Sequence, residues 1–163
     1  MPKRDWLMFL LFASVCFGAA TAGSVFTSSS VHTWYAQLRK PGLNPPNWLF
    51  GPVWSVLYLC MAASAWFVWR NAGWGRGKHA LILFFVQLGL NVAWSALFFG
   101  LRSPGAALVE VLALLLTIVA TAISFLPFSR PAFWLMIPYA AWVSFASYLN
   151  AEIWRLNSGS FQR

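Results

Sequence analysis

The chain has 163 residues, 60% of them hydrophobic and only 9% charged. Ordinary soluble domains average about a quarter charged residues, so this composition excludes one and points to a bilayer. The net charge of +8 is not a nucleic-acid footprint, because the basic residues form no stripe; they punctuate the ends of apolar runs, as they do in loops between membrane spans.

Lys3 and Arg4 lead into a first apolar run over about residues 6–26, close to the roughly 20 residues that a bilayer core requires. Ala20-Thr21-Ala22 mimics the cleavage site of a signal peptide. The run nevertheless continues to Phe26, with Ser14, Gly18 and Ala22 on one helical line and Ala19 and Gly23 on the next. Small residues four apart let helices approach closely in a membrane, so a retained span is expected. The Thr/Ser cluster at residues 27–30 is expected to end it.

From Trp34 to Tyr58 the chain packs four prolines, three tryptophans and two tyrosines between apolar runs. Such a stretch is neither the interior of a long helix nor a solvated linker, and residues 27–46 read as a structured lid. TWYAQLRK has the length for about two turns of short helix. Asn44 is placed to cap the next helix, with Pro45 at its first position, where a missing N–H costs nothing. Trp48, Trp54 and Tyr58 would ride on that helix while Trp34 and Tyr35 fold over its mouth. Amphipathic rings collect both at membrane interfaces and over ligand pockets, and composition leaves the two open.

The second span is expected over about residues 47–69, with Pro52 in its first turn or at a kink and Trp54, Tyr58, Met61 and Ala65 on one face. Glycines and basic residues make residues 71–79 a loop. In the third span, about residues 80–100, Gln87, Asn91 and Ser95 stand four apart beside Trp94 and Phe98. This polar stripe must meet protein, a ligand or water, and hydrogen bonding between helices accounts for it as well as a cavity does. Gly89, Ala93, Ala96 and Gly100 add small positions for close approach or a homodimer contact.

Pro104 opens a fourth span over about residues 104–125, whose one charge, Glu110, is expected near the interface with a basic partner. The fifth span, about residues 131–155, carries Pro138 as a kink and places Tyr139, Trp142, Ala146 and Asn150 on one face beyond it. Glu152 and Arg155 can pair, and the tail from Leu156 is expected to fray. These elements describe an all-α integral membrane protein, a single multi-pass bundle of five transmembrane helices over residues 1–163. Lysines and arginines divide almost evenly between its two sides, so orientation stays undecided.

If the faces of spans two, three and five converge beneath the lid, they enclose an apolar pocket with a few polar groups, suited to a flat aromatic ligand. No catalytic triad, phosphate-binding glycine loop or metal cluster is legible, and His32 and His79 lie near span ends.

Several long motifs resemble the TspO/MBR family, which includes the tryptophan-rich sensory proteins and the mitochondrial translocator proteins. They are W-Y-x-x-L-x-K-P from Trp34 to Pro41, P-P-x-W from Pro45 to Trp48 and P-V-W-S-x-L-Y from Pro52 to Tyr58, then Q-L-x-L-N-x-x-W-S from Gln87 to Ser95, A-L-V-E from Ala107 to Glu110 and P-Y-x-x-W-x-x-F-A-x-x-L-N from Pro138 to Asn150. The resemblance implies a five-helix bundle, commonly a dimer, in a bacterial envelope or mitochondrial outer membrane. Its lid and upper helices would hold porphyrins and benzodiazepine- or isoquinoline-type molecules, with no cofactor required. Tyr35, Trp54, Asn91, Ser95, Trp142 and Ala146 match ligand-lining positions; with the stripe and lid residues Trp34, Pro45, Tyr58, Gln87, Trp94 and Tyr139 they form the expected ligand-binding set. Trp54 and Trp142 also match tryptophans associated with light-dependent porphyrin breakdown in bacterial members, the catalytic alternative. Sterol or lipid carriage and a passive scaffold are further alternatives. The cholesterol motif of animal members places a tyrosine where this chain has Ala151, and Tyr148 is separated from Arg155 by six residues, one too many to substitute under the loose pattern, which argues against cholesterol.

Overall fold

The computed structural model describes residues 3–160. Helix α1 spans Lys3–Ser30, and a single turn, α2, spans Trp34–Gln37. The remaining helices are α3, Asn47–Arg76; α4, Lys78–Ser95, continued by a π turn at Ala96–Gly100; α5, Pro104–Phe125; and α6, Arg130–Asn157. Five of these, all but α2, are long and apolar enough to cross a membrane, and the protein is a multi-pass integral membrane protein. Large apolar side chains such as Leu7, Val109, Leu116 and Trp134 point outward, where lipid rather than water meets them.

The bundle is unevenly filled. Toward the end away from the lid, Phe12 meets Phe84 edge-on at 6.2 Å, Phe84 lies 6.4 Å from Phe125, and Trp66 packs against Phe9 at 5.9 Å. Trp66 also donates its indole N–H to the Asp5 carbonyl at 2.9 Å, and Arg70 pairs with the Asp5 carboxylate at 3.8 Å, fastening the start of α1 to α3. Toward the lid the same helices carry smaller or tilted side chains and leave a hollow.

Several boundaries differ from the sequence reading. Helix α1 ends at Ser30, the last residue of the Thr/Ser cluster, rather than near Phe26, because Thr27 donates to the Gly23 carbonyl, Ser28 to Val25 and Ser29 to Phe26, so the hydroxyls bond back onto the helix that carries them. Asn44 does not cap α3. Pro46, the residue ahead of the first turn, is extended at φ −63°, ψ 143°, and the helix begins at Asn47. The lid helix is one turn rather than two, since Leu38 is already extended.

Residues 71–79 are helical rather than a loop. A bend at Gly73, φ 63° and ψ −171°, and a break at Gly77 turn the chain from α3 into α4 without a longer connection. Asn71 donates to the Phe128 carbonyl at 2.9 Å and holds this corner to the α5–α6 turn. Pro52 and Pro138 both lie inside helices, and Ser129 caps α6 by accepting from the Ala132 N–H. Glu152 and Arg155 pair at 2.7 Å as expected. Glu110 does not meet a basic partner: both carboxylate oxygens are buried on α5 without a hydrogen-bond partner among the described residues. The tail does not fray at Leu156, because α6 runs on to Asn157, which is buried; residues 161–163 lie outside the described residues.

The corner between α3 and α4 has a direct test. A Cβ at Gly77 would stand 2.8 Å from the Gly73 carbonyl oxygen, whereas one at Gly75 would meet nothing within 4 Å. Gly77→Ala is expected to lose about 1–3 kcal/mol, read as a lower thermal midpoint in detergent, while Gly75→Ala unfolds with the wild type.

Candidate functional site: a lidded cavity in the upper half of the bundle

The hollow has a volume of about 350 Å3, within the range of small-molecule sites. Its floor is a buried hydrogen-bond chain across three helices. The Tyr58 hydroxyl on α3 donates to the Asn91 side-chain oxygen on α4 at 2.6 Å, and the Asn91 amide nitrogen donates to the Tyr139 hydroxyl on α6 at 3.1 Å. Trp54 leans on this floor, 5.5 Å from the Tyr58 ring and 6.1 Å from Tyr139. Trp142 faces Phe50 at 5.9 Å across the α3–α6 side of the cavity.

A second buried amide braces the opposite wall. Trp94 donates its indole N–H to the Asn150 oxygen at 3.1 Å, and the Asn150 amide nitrogen donates to the Pro104 carbonyl at 2.7 Å, joining α4, α6 and the start of α5. Above Trp94 the π turn, closed by Leu101 N–H to the Ala96 carbonyl at 2.8 Å, swings Phe98 and Phe99 inward. Phe98 stacks on Trp94 at 5.2 Å, and Tyr35 of the lid sits on both phenylalanines at 6.2 and 5.6 Å. A π turn leaves carbonyls without regular partners, and the Phe99 carbonyl accepts from Ser30 at the end of α1, 2.7 Å away.

The lid is held by a third amide. The Arg39 backbone N–H donates to the Asn157 side-chain oxygen at 3.0 Å, and the Asn157 amide nitrogen donates back to the Arg39 carbonyl at 2.9 Å, a two-way clamp between lid and α6. Within the lid Tyr35 donates its hydroxyl to Asn44 at 3.0 Å, and the Lys40 ammonium lies 4.7 Å over the Tyr35 ring. Burial pushes the Tyr35 hydroxyl above its ordinary pKa, so it stays protonated and donating at neutral pH. Because an unfolded tyrosine ionises near about 10, this contribution to stability is complete below that pH and is lost only above it.

Of the expected set, Tyr35, Trp54, Tyr58, Asn91, Trp94, Ser95, Trp142 and Ala146 border the cavity together. Four others stand off its wall. Gln87 lies one turn below the Tyr58–Asn91–Tyr139 floor, with its amide nitrogen 3.8 Å from the Met61 sulfur. Tyr139 is fully buried behind Trp54, Trp34 packs on the outer side of Phe98 at 5.8 Å, and the Pro45 carbonyl is taken by the Asn44 amide in the lid turn. Trp48 rides on α3 as expected, but it is 72% exposed and does not border the cavity. His32 and His79 are both exposed.

The sequence reading missed the whole α1 wall, including Phe17, Ala20 and Ser24, and the apolar contributions of Phe50, Leu149 and Ile153. Gly23 was singled out as a packing position and does pack closely: a Cβ there would come within 3.1 Å of the Ser95 hydroxyl.

Most polar groups at this site already serve the protein. The buried Trp142 indole N–H is an exception, with no hydrogen-bond partner among the described residues. The arrangement offers aromatic faces, a largely apolar wall and very few free donors, and no group of three or more His, Cys, Asp or Glu side chains placed to hold a metal occurs among the described residues. Such an arrangement suits a flat, largely apolar small molecule.

Fold and site together define a five-span helical membrane protein built around one lidded cavity. The TspO/MBR family profile matches residues 12–155, and the chain belongs to that family. It is 44% identical over 137 residues to the tryptophan-rich protein TspO of Archaeoglobus fulgidus, covering 84% of this chain and 88% of that one. Identity to the human translocator protein is 40% over 140 residues, 84% and 82% of the two chains, and to the tryptophan-rich sensory protein of Cereibacter sphaeroides 36% over 155 residues, 95% and 94%.

The clamp between lid and α6 predicts a local effect. Asn157→Ala removes both bonds to Arg39, so amide hydrogen exchange across residues 34–46 is expected to rise by about tenfold, for a loss near 1.4 kcal/mol, while Pro104–Phe125 exchanges as in the wild type. Unchanged exchange in the lid would remove the clamp from the account.

Proposed function

We propose that this protein is a receptor or translocator of the membrane whose lidded cavity binds a flat tetrapyrrole such as protoporphyrin IX, or a benzodiazepine- or isoquinoline-type molecule, with a role in tetrapyrrole or stress regulation. The observation that carries the reading is the convergence of Trp54, Asn91 and Trp142, from three separate helices, on one hollow roofed by the Pro/Trp-rich connection. Two indoles supply broad faces for a planar ring, and the unpartnered Trp142 N–H supplies a donor for an acceptor on its edge. Relatives named translocator protein and tryptophan-rich sensory protein support carriage or sensing of a small molecule as the purpose of such binding.

Binding of this kind quenches tryptophan fluorescence. Titration with protoporphyrin IX is expected to quench the wild type, and Trp54→Phe with Trp142→Phe to weaken binding by about tenfold or more, a change of about 1.4 kcal/mol. Equal affinity in wild type and double variant would place the ligand elsewhere. The same complex tests the degradative reading, which the two indoles beside one ring favour: illumination in air would then oxidise Trp54 or Trp142 peptides, and peptides identical to the dark control would remove it.

A further inference from the structure

Six residues that border the cavity also mark the seam between α1 and α3: Phe17, Ala20 and Ser24 on one side, Gly51, Ser55 and Tyr58 on the other. The Phe17 and Tyr58 rings meet at 6.4 Å and close the deep end of the seam. From that contact the two helices rise together toward the lid, and Ser24 and Gly51, each seven residues away along its own helix, stand at one level about 10 Å higher. Between them the side chains are small. A Cβ added at Gly51 would meet nothing within 4 Å.

Exposure shows what this seam is. Phe17 is 41% exposed, and Ser24, Gly51 and Ser55 are exposed too, although all four also line the hollow. A residue that faces both the cavity and the outside of the bundle lies at a mouth. These positions fall inside the spans Arg4–Ser30 and Asn47–Arg76, so the outside is hydrocarbon. The hydroxyls at the mouth add no polar barrier, because Ser24 donates to the Thr21 carbonyl at 2.8 Å and Ser55 to the Gly51 carbonyl at 2.9 Å.

The routes over the lid and through the floor are fastened. Above stand the Asn157–Arg39 clamp, the Tyr35–Asn44 bond and the Ser30–Phe99 bond; below stands the Tyr58–Asn91–Tyr139 floor. A molecule passing over the lid side breaks several of these bonds, whereas one passing between α1 and α3 breaks none.

We propose that the cavity opens sideways into the bilayer between α1 and α3, and that it draws its ligand from the hydrocarbon rather than from water. This deepens the proposed function, on which its second half rests: the site takes molecules that dissolve in a membrane, whichever of them is the natural one. With no such ligand present, lipid acyl chains reach into the mouth.

The acyl chains themselves are the probe, and they make the test independent of tetrapyrrole binding. Protein reconstituted in phosphatidylcholine vesicles, a fraction of whose acyl chains carry a diazirine, is irradiated and its adducts are mapped by peptide mass spectrometry. Adducts are expected on the outward Val109 and Leu116, on the mouth residues, and on the inner-wall Trp54 and Trp142. Filling the mouth with Ser55→Trp should lower inner-wall labelling several-fold and leave Val109 and Leu116 unchanged. Labelled Val109 and Leu116 with unlabelled Trp54 and Trp142 in the wild type would overturn the proposal, as would protection of Ser24 and Gly51 by a second copy of the chain. Loss of porphyrin quenching with inner-wall labelling intact would instead count against the ligand assignment alone.

Discussion

The structure depends on buried amides that have to be satisfied where water is absent. An unpaired polar group in hydrocarbon is costly, so each asparagine carried into the bundle must find both a donor and an acceptor on other elements. Asn91 does so between Tyr58 and Tyr139, Asn150 between Trp94 and the Pro104 carbonyl, and Asn157 between the two backbone groups of Arg39. Dispersion holds apolar helices together without choosing a rotation, whereas an amide with two partners fixes which faces meet. These three side chains thereby set the orientation of α3, α4 and α6 and the seat of the lid.

The hollow follows from that placement combined with an uneven distribution of volume. Phe12, Phe84 and Phe125 fill the half away from the lid. In the other half the floor amide holds Tyr58 and Tyr139 low, the π turn carries Phe98 and Phe99 to the rim, and Gly51, Ser55, Ala20 and Ser24 leave the α1–α3 side thin. What remains is apolar, ring-lined and poor in free hydrogen-bonding groups. Such a space recognises shape and aromatic surface, which suits binding better than acid–base chemistry.

Fold class and much of the site were legible because both were written in periodicity. Apolar runs of bilayer length gave the five spans, and amide or aromatic residues at three- and four-residue spacing gave Asn91, Trp94, Ser95, Trp54, Tyr58 and Trp142 as neighbours. Helix ends were less legible, since a hydroxyl that bonds back to its own helix at Thr27 and one that caps a helix at Ser129 are the same kind of residue in sequence. The two glycines at the α3–α4 corner were read as a loop because a helical bend and a loop use glycine alike. Gln87 extended the polar stripe correctly along α4 but fell below the floor, a matter of depth that helical spacing alone does not contain. Phe50, Leu149 and Ile153 were hidden for the opposite reason: an apolar residue facing a cavity and one facing lipid look the same.

The central claim, that the Asn91 amide and its two hydroxyl partners act as one unit, is tested most directly by comparing Asn91→Leu alone with Asn91→Leu combined with Tyr58→Phe and Tyr139→Phe, using equilibrium unfolding in detergent or bicelles. The single change leaves two buried hydroxyls without their partner and should cost about 1–3 kcal/mol for each group stranded, while the triple variant removes the stranded groups and should recover much of that loss. Additive losses, with the triple variant the least stable of the series, would contradict the account.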